Sequence, residues 1–239
     1  MEPFTVATYN VHHCEGLDGV VDTGRIAAVV AGLGADIVAL QELDRHMKRS
    51  GGEDQPRVIA ELTGYDVRFL PTLRRGHAEY GIALAARDGL GEVRFEALPR
   101  LAAEEPRAAA VARWGEVTVI GVHLSQKPAP RALQGGALLD LARAGEPPVV
   151  VMGDLNQSRR HLGSFAGASF DPGPDRNRTF LRGPARRVPA LLRLAPGMLG
   201  SKIDHILTGP GLEVVRAWTI PTRASDHLPL VADIAPSPA

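Results

Sequence analysis

Cysteine is almost missing. Cys14 is the only one in 239 residues, which excludes an intramolecular disulfide and a four-thiolate zinc site. Lysine is nearly as scarce, 3 against 24 arginines. Net charge is zero, 27 basic residues balancing 27 acidic ones, so bulk charge does not hold the chain to nucleic acid or anionic lipid, and any attraction for phosphate is local. Aromatic residues amount to 5%, which leaves little for stacking bases. No apolar run approaches the roughly 18 residues of a membrane span, and Met1-Glu2-Pro3-Phe4-Thr5 carries no basic stretch followed by an apolar one. The expectation is a cytoplasmic protein with no membrane segment and no obligate protein partner. The arginine excess admits two readings: planar forks matched to phosphate oxygens, or the codon bias that accompanies abundant Ala, Gly and Pro.

What is present is enough apolar sequence for a sizeable core, 44% hydrophobic against 23% charged, and the length suits one compact layered domain over 1–239. Short β-rich runs alternate with helical patterns. Thr5 to Val11 and Asp36 to Leu40 read as strands. Between them Ile26, Val29, Val30 and Leu33 share one helix face, with Asp22 as cap and Gly34 as stop. Pro56 opens a second helix that Gly64 ends. Tyr65–Leu70, Tyr80–Ala86, Glu92–Leu98, Arg107–Arg113 and Glu116–Leu124 form a meander of strands. Leu133, Ala137, Leu138 and Leu141 mark a third helix, weakened by Gly135 and Gly136 at about 1 kcal/mol each. Val149-Val150-Val151-Met152 is a strand buried on both faces. From Gln157 to Gly200 the period dissolves into a long loop region with short helical pieces, and Lys202–Leu207, Leu212–Thr219 and Leu228–Ile234 end the chain as strands.

Polar residues stand where apolar runs stop: Asn10 after Thr5–Tyr9, Glu42 after Asp36–Gln41, His123 after Val117–Val122, Asp154 after Val149–Gly153. Strand ends bring side chains from distant segments to one edge, where rigid elements hold them and loops admit substrate. On an extended backbone Asp154 and Asn156 point the same way and Leu155 packs inward; the same tripeptide also suits an Asx turn, with both side chains bonded to nearby backbone. Glu42 alone reads equally as a solvated carboxylate or a partner of Arg45. Asp204, flanked by Ile203 and Ile206, needs a partner if buried, and a histidine is one such partner.

Taken in order, Asn10, Gln41-Glu42, His123-Leu124, Gly153-Asp154-Leu155-Asn156, Ile203-Asp204-His205-Ile206 and Ser225-Asp226-His227-Leu228-Pro229-Leu230 resemble the endonuclease/exonuclease/phosphatase superfamily over nearly the whole chain. The resemblance implies an α/β (α+β) fold, a four-layer α/β/β/α sandwich of two mixed sheets with helices outside. It also implies a divalent-metal-dependent hydrolase of phosphoester bonds, a phosphodiesterase or phosphatase. Glu42 is then a ligand of Mg²⁺ or Mn²⁺, with Asn10 and Asp226 beside it. Asp154 activates the attacking water, Asn156 holds a phosphate oxygen, His123 and His227 stabilise the phosphate, and Asp204 pairs with His227. Glu79 occupies the place of a glutamate paired to His123 in the deoxyribonuclease branch, though it reads equally as a strand-start charge. His12 stands where apurinic endonucleases carry an Asp near the metal, and His12 and His13, if extended, point oppositely and make a poor zinc pair. Arg159, with Arg74-Arg75, Arg160, Arg176, Arg178 and Arg186-Arg187, falls in loops where it could grip substrate phosphate or simply be solvated. Two further functions fit the same residues: a nuclease acting on DNA or RNA, and a non-catalytic phosphate-binding module.

Overall fold

The computed structural model of the chain describes residues 1–163, 170, 178–181 and 200–237; Arg176, Arg186, Arg187 and most of the 157–200 stretch lie outside them. In chain order the first strands are β1 (Phe4–Asn10), β2 (Ile37–Arg45), β3 (Asp66–Arg75), β4 (Ala78–Ala86), β5 (Val93–Ala97), β6 (Ala108–Trp114) and β7 (Val117–His123). They are followed by β8 (Val149–Asp154), the short pair β9 (Phe180–Leu181) and β10 (Gly200–Ser201), then β11 (Asp204–Thr208), β12 (Leu212–Thr219) and β13 (Leu230–Pro236). One sheet runs β12-β13-β1-β2-β4-β3 and the other β11-β8-β7-β6-β5. Each is mixed, with a single parallel pair, β1 with β2 and β7 with β8.

Among the described residues, three α-helices cover the outer faces. In α1 (Thr23–Gly32) the Asp22 side chain accepts from the Arg25 N–H, and in α2 (Gln55–Thr63) Asp54 does the same for Arg57, with Pro56 in the first turn and left-handed Gly64 as stop. Each cap satisfies an N–H that the helix cannot. α3 (Pro128–Ala144) is longer than the periodicity predicts. Its two glycines are carried by tertiary packing, because Leu138, Leu139 and Ala142 are buried against the outer face of the second sheet.

Period two assigns each strand residue to a layer. Phe4, Val6, Ile37, Ala39 and Leu84 of the first sheet meet Ala110, Val119, Met152 and Ile206 of the second in the central core. The alternate residues Ala7, Tyr9, Val38 and Leu40 pack outward under α1 and α2 with Ile26, Val30 and Ile59. Ile120, Val122, Val149 and Val151 pack outward under α3. The result is the four-layer α/β/β/α sandwich, each fully buried Leu or Ile contributing roughly 1.5–3 kcal/mol. Among the described residues no helix is long and apolar enough to cross a membrane.

Two strands outrun their sequence limits. β3 continues to Arg75, so Arg74 and Arg75 lie on a strand end rather than in a loop. β2 continues past Leu40 to Arg45 through a bulge, Leu40 facing Ala83 and Leu43 facing Gly81 of β4. The extra residue falls beside Glu42, whose φ is +64°, and such a bulge re-aims a side chain.

Gly153 shows how closely β7 and β8 approach: a Cβ there would lie 2.0 Å from the Val122 carbonyl oxygen. Backbone cannot retreat as a flexible side chain can. Gly153→Ala is therefore expected to cost about 1–3 kcal/mol, read as a lower urea midpoint at unchanged slope; a wild-type midpoint would contradict this account of the strand pair.

Candidate active site

The same period that builds the central core delivers the polar residues to its rim. Val6, Thr8 and Asn10 lie on the inward side of β1, Val117, Val119 and His123 on that of β7, Val150, Met152 and Asp154 on that of β8. Cα register then aligns His123 with Asp154, and Asp154 with Asp204 of the antiparallel neighbour β11. Three titratable groups from three strands thus form one row across the second sheet. Opposite them stand Asn10, paired in register with Gln41, and the loop before β13 that carries Asp226 and His227.

Asp154 is at the centre, 1% exposed. Its Oδ1 accepts the Asn156 N–H at 2.9 Å, and its Oδ2 accepts the Asn10 Nδ2 at 3.1 Å. That same Oδ2 lies 3.5 Å from His123 Nε2 and 3.8 Å from His227 Nε2. Burial, with the nearby Asp204 charge, raises the Asp154 pKa well above the ordinary carboxylate range, against the lowering influence of His227 and the hydrogen bonds from Asn156 and Asn10. His227 goes the other way for a base. Burial opposes its charge, yet the Asp204 carboxylate, 2.9 Å from Nδ1, pushes its pKa up to about 10. His123 is held far below the usual imidazole value, first by burial and then by the Arg107 and His227 charges. Asp154, Asp204 and His227 each offer a ligand atom within 4.8 Å of the others.

Of the two readings of the Asp-Leu-Asn tripeptide, the turn holds at Asp154 and the extended backbone does not reach Asn156. The Asn156 N–H to Asp154 bond is an Asx-type turn, and Asn156 has φ +51° rather than an extended value. The turn uses only Oδ1, so Oδ2 remains for Asn10 and the two histidines. The Asn156 amide donates to the Leu124 carbonyl at 2.9 Å, which leaves its second N–H. Arg159 is half-buried and opens a short 3-10 turn three residues on.

At the mouth, Asn10 Nδ2 donates to Glu42 Oε1 at 2.9 Å, while its Oδ1 accepts the His12 N–H. His12 Nδ1 lies 3.9 Å from Asp226 Oδ1. His12 and His13 are not extended, so they do not point oppositely. His12, His13 and Cys14 all have positive φ, 49°, 42° and 63°, and the two rings meet edge to face at 4.5 Å. Together with Glu15 they form a second group of ligand atoms within 4.8 Å of one another. Burial pushes the Cys14 thiol up to about 12, which keeps it protonated and unreactive at neutral pH.

Glu79 takes a different partner from the one the resemblance implies. Its carboxylate contacts Arg45 and lies 3.1 Å from Arg74. Among the described residues it makes no hydrogen bond to His123, whose Nδ1 faces Arg107 Nη1 at 2.8 Å. Arg107 was not legible as a site residue, although the two-residue Gly115-Glu116 turn, with Trp114 opposite Val117, counts back along β6 to its neighbourhood. Two other supports escape periodicity. Ser225 Oγ donates to the Asn10 carbonyl and accepts the His227 N–H. Segment 179–181 pins the Asp226–His227 loop through Leu181 N–H to the Asp226 carbonyl, Leu228 N–H to the Thr179 carbonyl, and the Phe180 ring 4.9 Å from that of His227.

A sequence profile described as the endonuclease/exonuclease/phosphatase family matches residues 7–227. No curated protein matches the chain. Among solved structures, an endonuclease/exonuclease/phosphatase from Beutenbergia cavernae superposes with a TM-score of 0.75 at 21% identity, covering 99% of this chain and 72% of that one. A mannosyl-6-phosphatase from Bacteroides thetaiotaomicron gives 0.74 at 18%, over 97% and 99% of the two chains, and a humanized D. rerio TDP2 gives 0.70 at 16%, over 98% and 99%. At these identities the neighbours speak for the fold, and the profile match over most of the chain speaks for descent: the chain belongs to the endonuclease/exonuclease/phosphatase family.

Proposed function

We propose that the chain is a phosphoric ester hydrolase that works with Mg²⁺ or Mn²⁺. The observation that carries this reading is the Asp154 Oδ2 atom, buried and faced at once by Asn10, His123 and His227. A carboxylate whose pKa is raised by burial is a stronger base near neutral pH than one in water, so Asp154 takes the proton of an attacking water. His123 and His227 supply N–H groups to phosphoryl oxygens, Asn156 adds its second amide N–H, and Asp204 holds the His227 ring in place and stabilises its charge.

The donor chemistry at the mouth fits a hard cation. Glu42 and Asp226 offer carboxylate oxygens and Asn10 an amide oxygen if its side chain turns over, and Mg²⁺ is usually held by one or two carboxylates plus waters. When bound, the ion neutralises phosphate oxygens and the departing oxygen. Until then Asn10 steadies Glu42 through the 2.9 Å bond.

A small phosphorylated molecule is favoured over a nucleic acid by the state of the arginines. Arg45 and Arg74 share the Glu79 carboxylate, Arg49 grips buried Asp44, Arg25 pairs with Asp18 and Arg68 with Asp66. A polyanion track needs uncompensated cations along a groove.

Hydrolysis of aryl phosphomonoesters, aryl phosphodiesters and DNA, each with Mg²⁺, Mn²⁺ or chelator, tests the reading. Expected is metal-dependent turnover of at least one ester, reduced about 10²-fold or more in Asp154→Ala and His227→Ala. Absence of turnover from the whole panel favours a phosphate-binding module, and activity that survives in both variants removes the assigned roles. Steep salt inhibition on DNA alone would restore the nuclease reading.

The Asp154 pKa also separates function from stability. Because the folded value lies above the unfolded one, ionisation of this group weakens the fold, and the penalty grows as pH rises from about 4. In chelator, Asp154→Asn is therefore expected to match wild type near pH 4 and to exceed it by about 1 kcal/mol or more at pH 8, while losing hydrolysis. Urea midpoints across that range check the sign; an Asn variant less stable than wild type at pH 8 would show that the carboxylate is not destabilising.

A further inference from the structure

The two imidazoles that face Asp154 are held by partners of opposite kind. His227 Nδ1 meets the Asp204 carboxylate at 2.9 Å, a group that only accepts. His123 Nδ1 meets Arg107 Nη1 at 2.8 Å, a group that only donates, since a guanidinium has five N–H donors and no acceptor. The first bond requires a proton on His227 Nδ1, and the second requires a lone pair on His123 Nδ1.

We infer that Arg107 is a positioning residue that locks His123 in the tautomer with its proton on Nε2, so that this ring is a fixed hydrogen-bond donor to the substrate's phosphoryl oxygen. The role of that donor rests on the hydrolase reading above; the tautomer does not. The guanidinium is itself fixed, 3.3 Å from Glu105 and with its side chain 11% exposed, so it cannot swing away at little cost. On the far side of the ring, His123 Nε2 is buried and has no hydrogen-bond partner among the described residues. It lies 3.5 Å from Asp154 Oδ2 and 3.9 Å from Glu42 Oε1, both beyond hydrogen-bond length. A buried N–H without a partner costs free energy unless a ligand supplies the acceptor, and a substrate phosphoryl oxygen is such an acceptor.

The two histidines therefore divide the work. His227, with Nδ1–H on Asp204, donates from Nε2 as the charged ring that the carboxylate stabilises. His123, with Nδ1 occupied by Arg107, presents a single N–H and neither gives up nor takes a proton in the cycle. A carboxylate in place of Arg107 would put a proton on Nδ1, as Asp204 does for His227, so that His123 would donate from Nε2 only as the charged ring.

Nitrogen-15 labelling of the histidines and two-bond ¹H–¹⁵N correlation on the protein at pH 7, without metal or substrate, reads the tautomer directly, the His123 signals being assigned by their loss in His123→Gln. Expected in wild type is a proton-bearing Nε2 and a bare Nδ1. Arg107→Lys, also donor-only, keeps that pattern and stays within about 10-fold of wild-type kcat/KM, whereas Arg107→Glu puts a proton on Nδ1, as the other tautomer or as the doubly protonated ring. If the glutamate variant does not fold, Arg107→Met gives a mixture of tautomers. A wild-type His123 protonated on Nδ1, or an unchanged pattern in both Arg107→Glu and Arg107→Met, overturns the lock. Because the spectrum needs no turnover, an inactive wild type would count against the hydrolase reading while leaving the tautomer result intact.

Discussion

A carboxylate that is 1% exposed must be compensated by its neighbours, and the compensation of Asp154 organises everything around it. One oxygen is spent on the Asn156 N–H, which bends the chain into the loop after β8. The other draws Asn10 from the opposite sheet and two histidines from β7 and the loop before β13. Asp204 supports one of those histidines and Arg107 the other. The site is therefore one polar cluster that seals the rim of the apolar layer between the sheets, not a set of independent groups. Removing a member exposes its partners to burial without a bond, which is costlier than losing the bond itself.

Backbone strain is concentrated at the same rim. Glu42 in its bulge, His12, His13 and Cys14 in consecutive left-handed conformations, and Asn156 in the Asx turn all have positive φ, a conformation that costs non-glycine residues free energy. The surroundings hold each one. Asp44, fully buried on Arg49 and Ser50, anchors β2 beyond the bulge. Gln55 of α2 accepts the Asp44 N–H and donates to the His13 carbonyl, so one side chain ties the bulged strand to the histidine turn. Rigid sheets below and strained turns above place these oxygen and nitrogen atoms where a regular strand end could not.

The arginines follow a similar division. Most of those described near the site neutralise buried or half-buried acids, and Arg107 acts on an imidazole. In this way 24 arginines sit in a chain of zero net charge, most of those described near the site having an acid beside them.

Much of this was legible in the residues themselves. Alternation of apolar residues marks the strands, Asp22, Pro56 and Gly64 mark the helix ends, and the order of Asn10, Glu42, His123, Asp154, Asp204 and His227 carries the family resemblance. These features depend on periods of 2 and 3.6 residues and on caps within one turn, so local physics suffices to read them. Tertiary structure alone decided the rest. Whether Glu79 met His123 or Arg45, whether Arg107 mattered, how far β2 ran past its bulge, and that a short strand near Phe180 would clasp the Asp226–His227 loop all depend on pairings between segments tens of residues apart. No local preference distinguishes one available partner from another; only the register of strands brought together by a shared core does so.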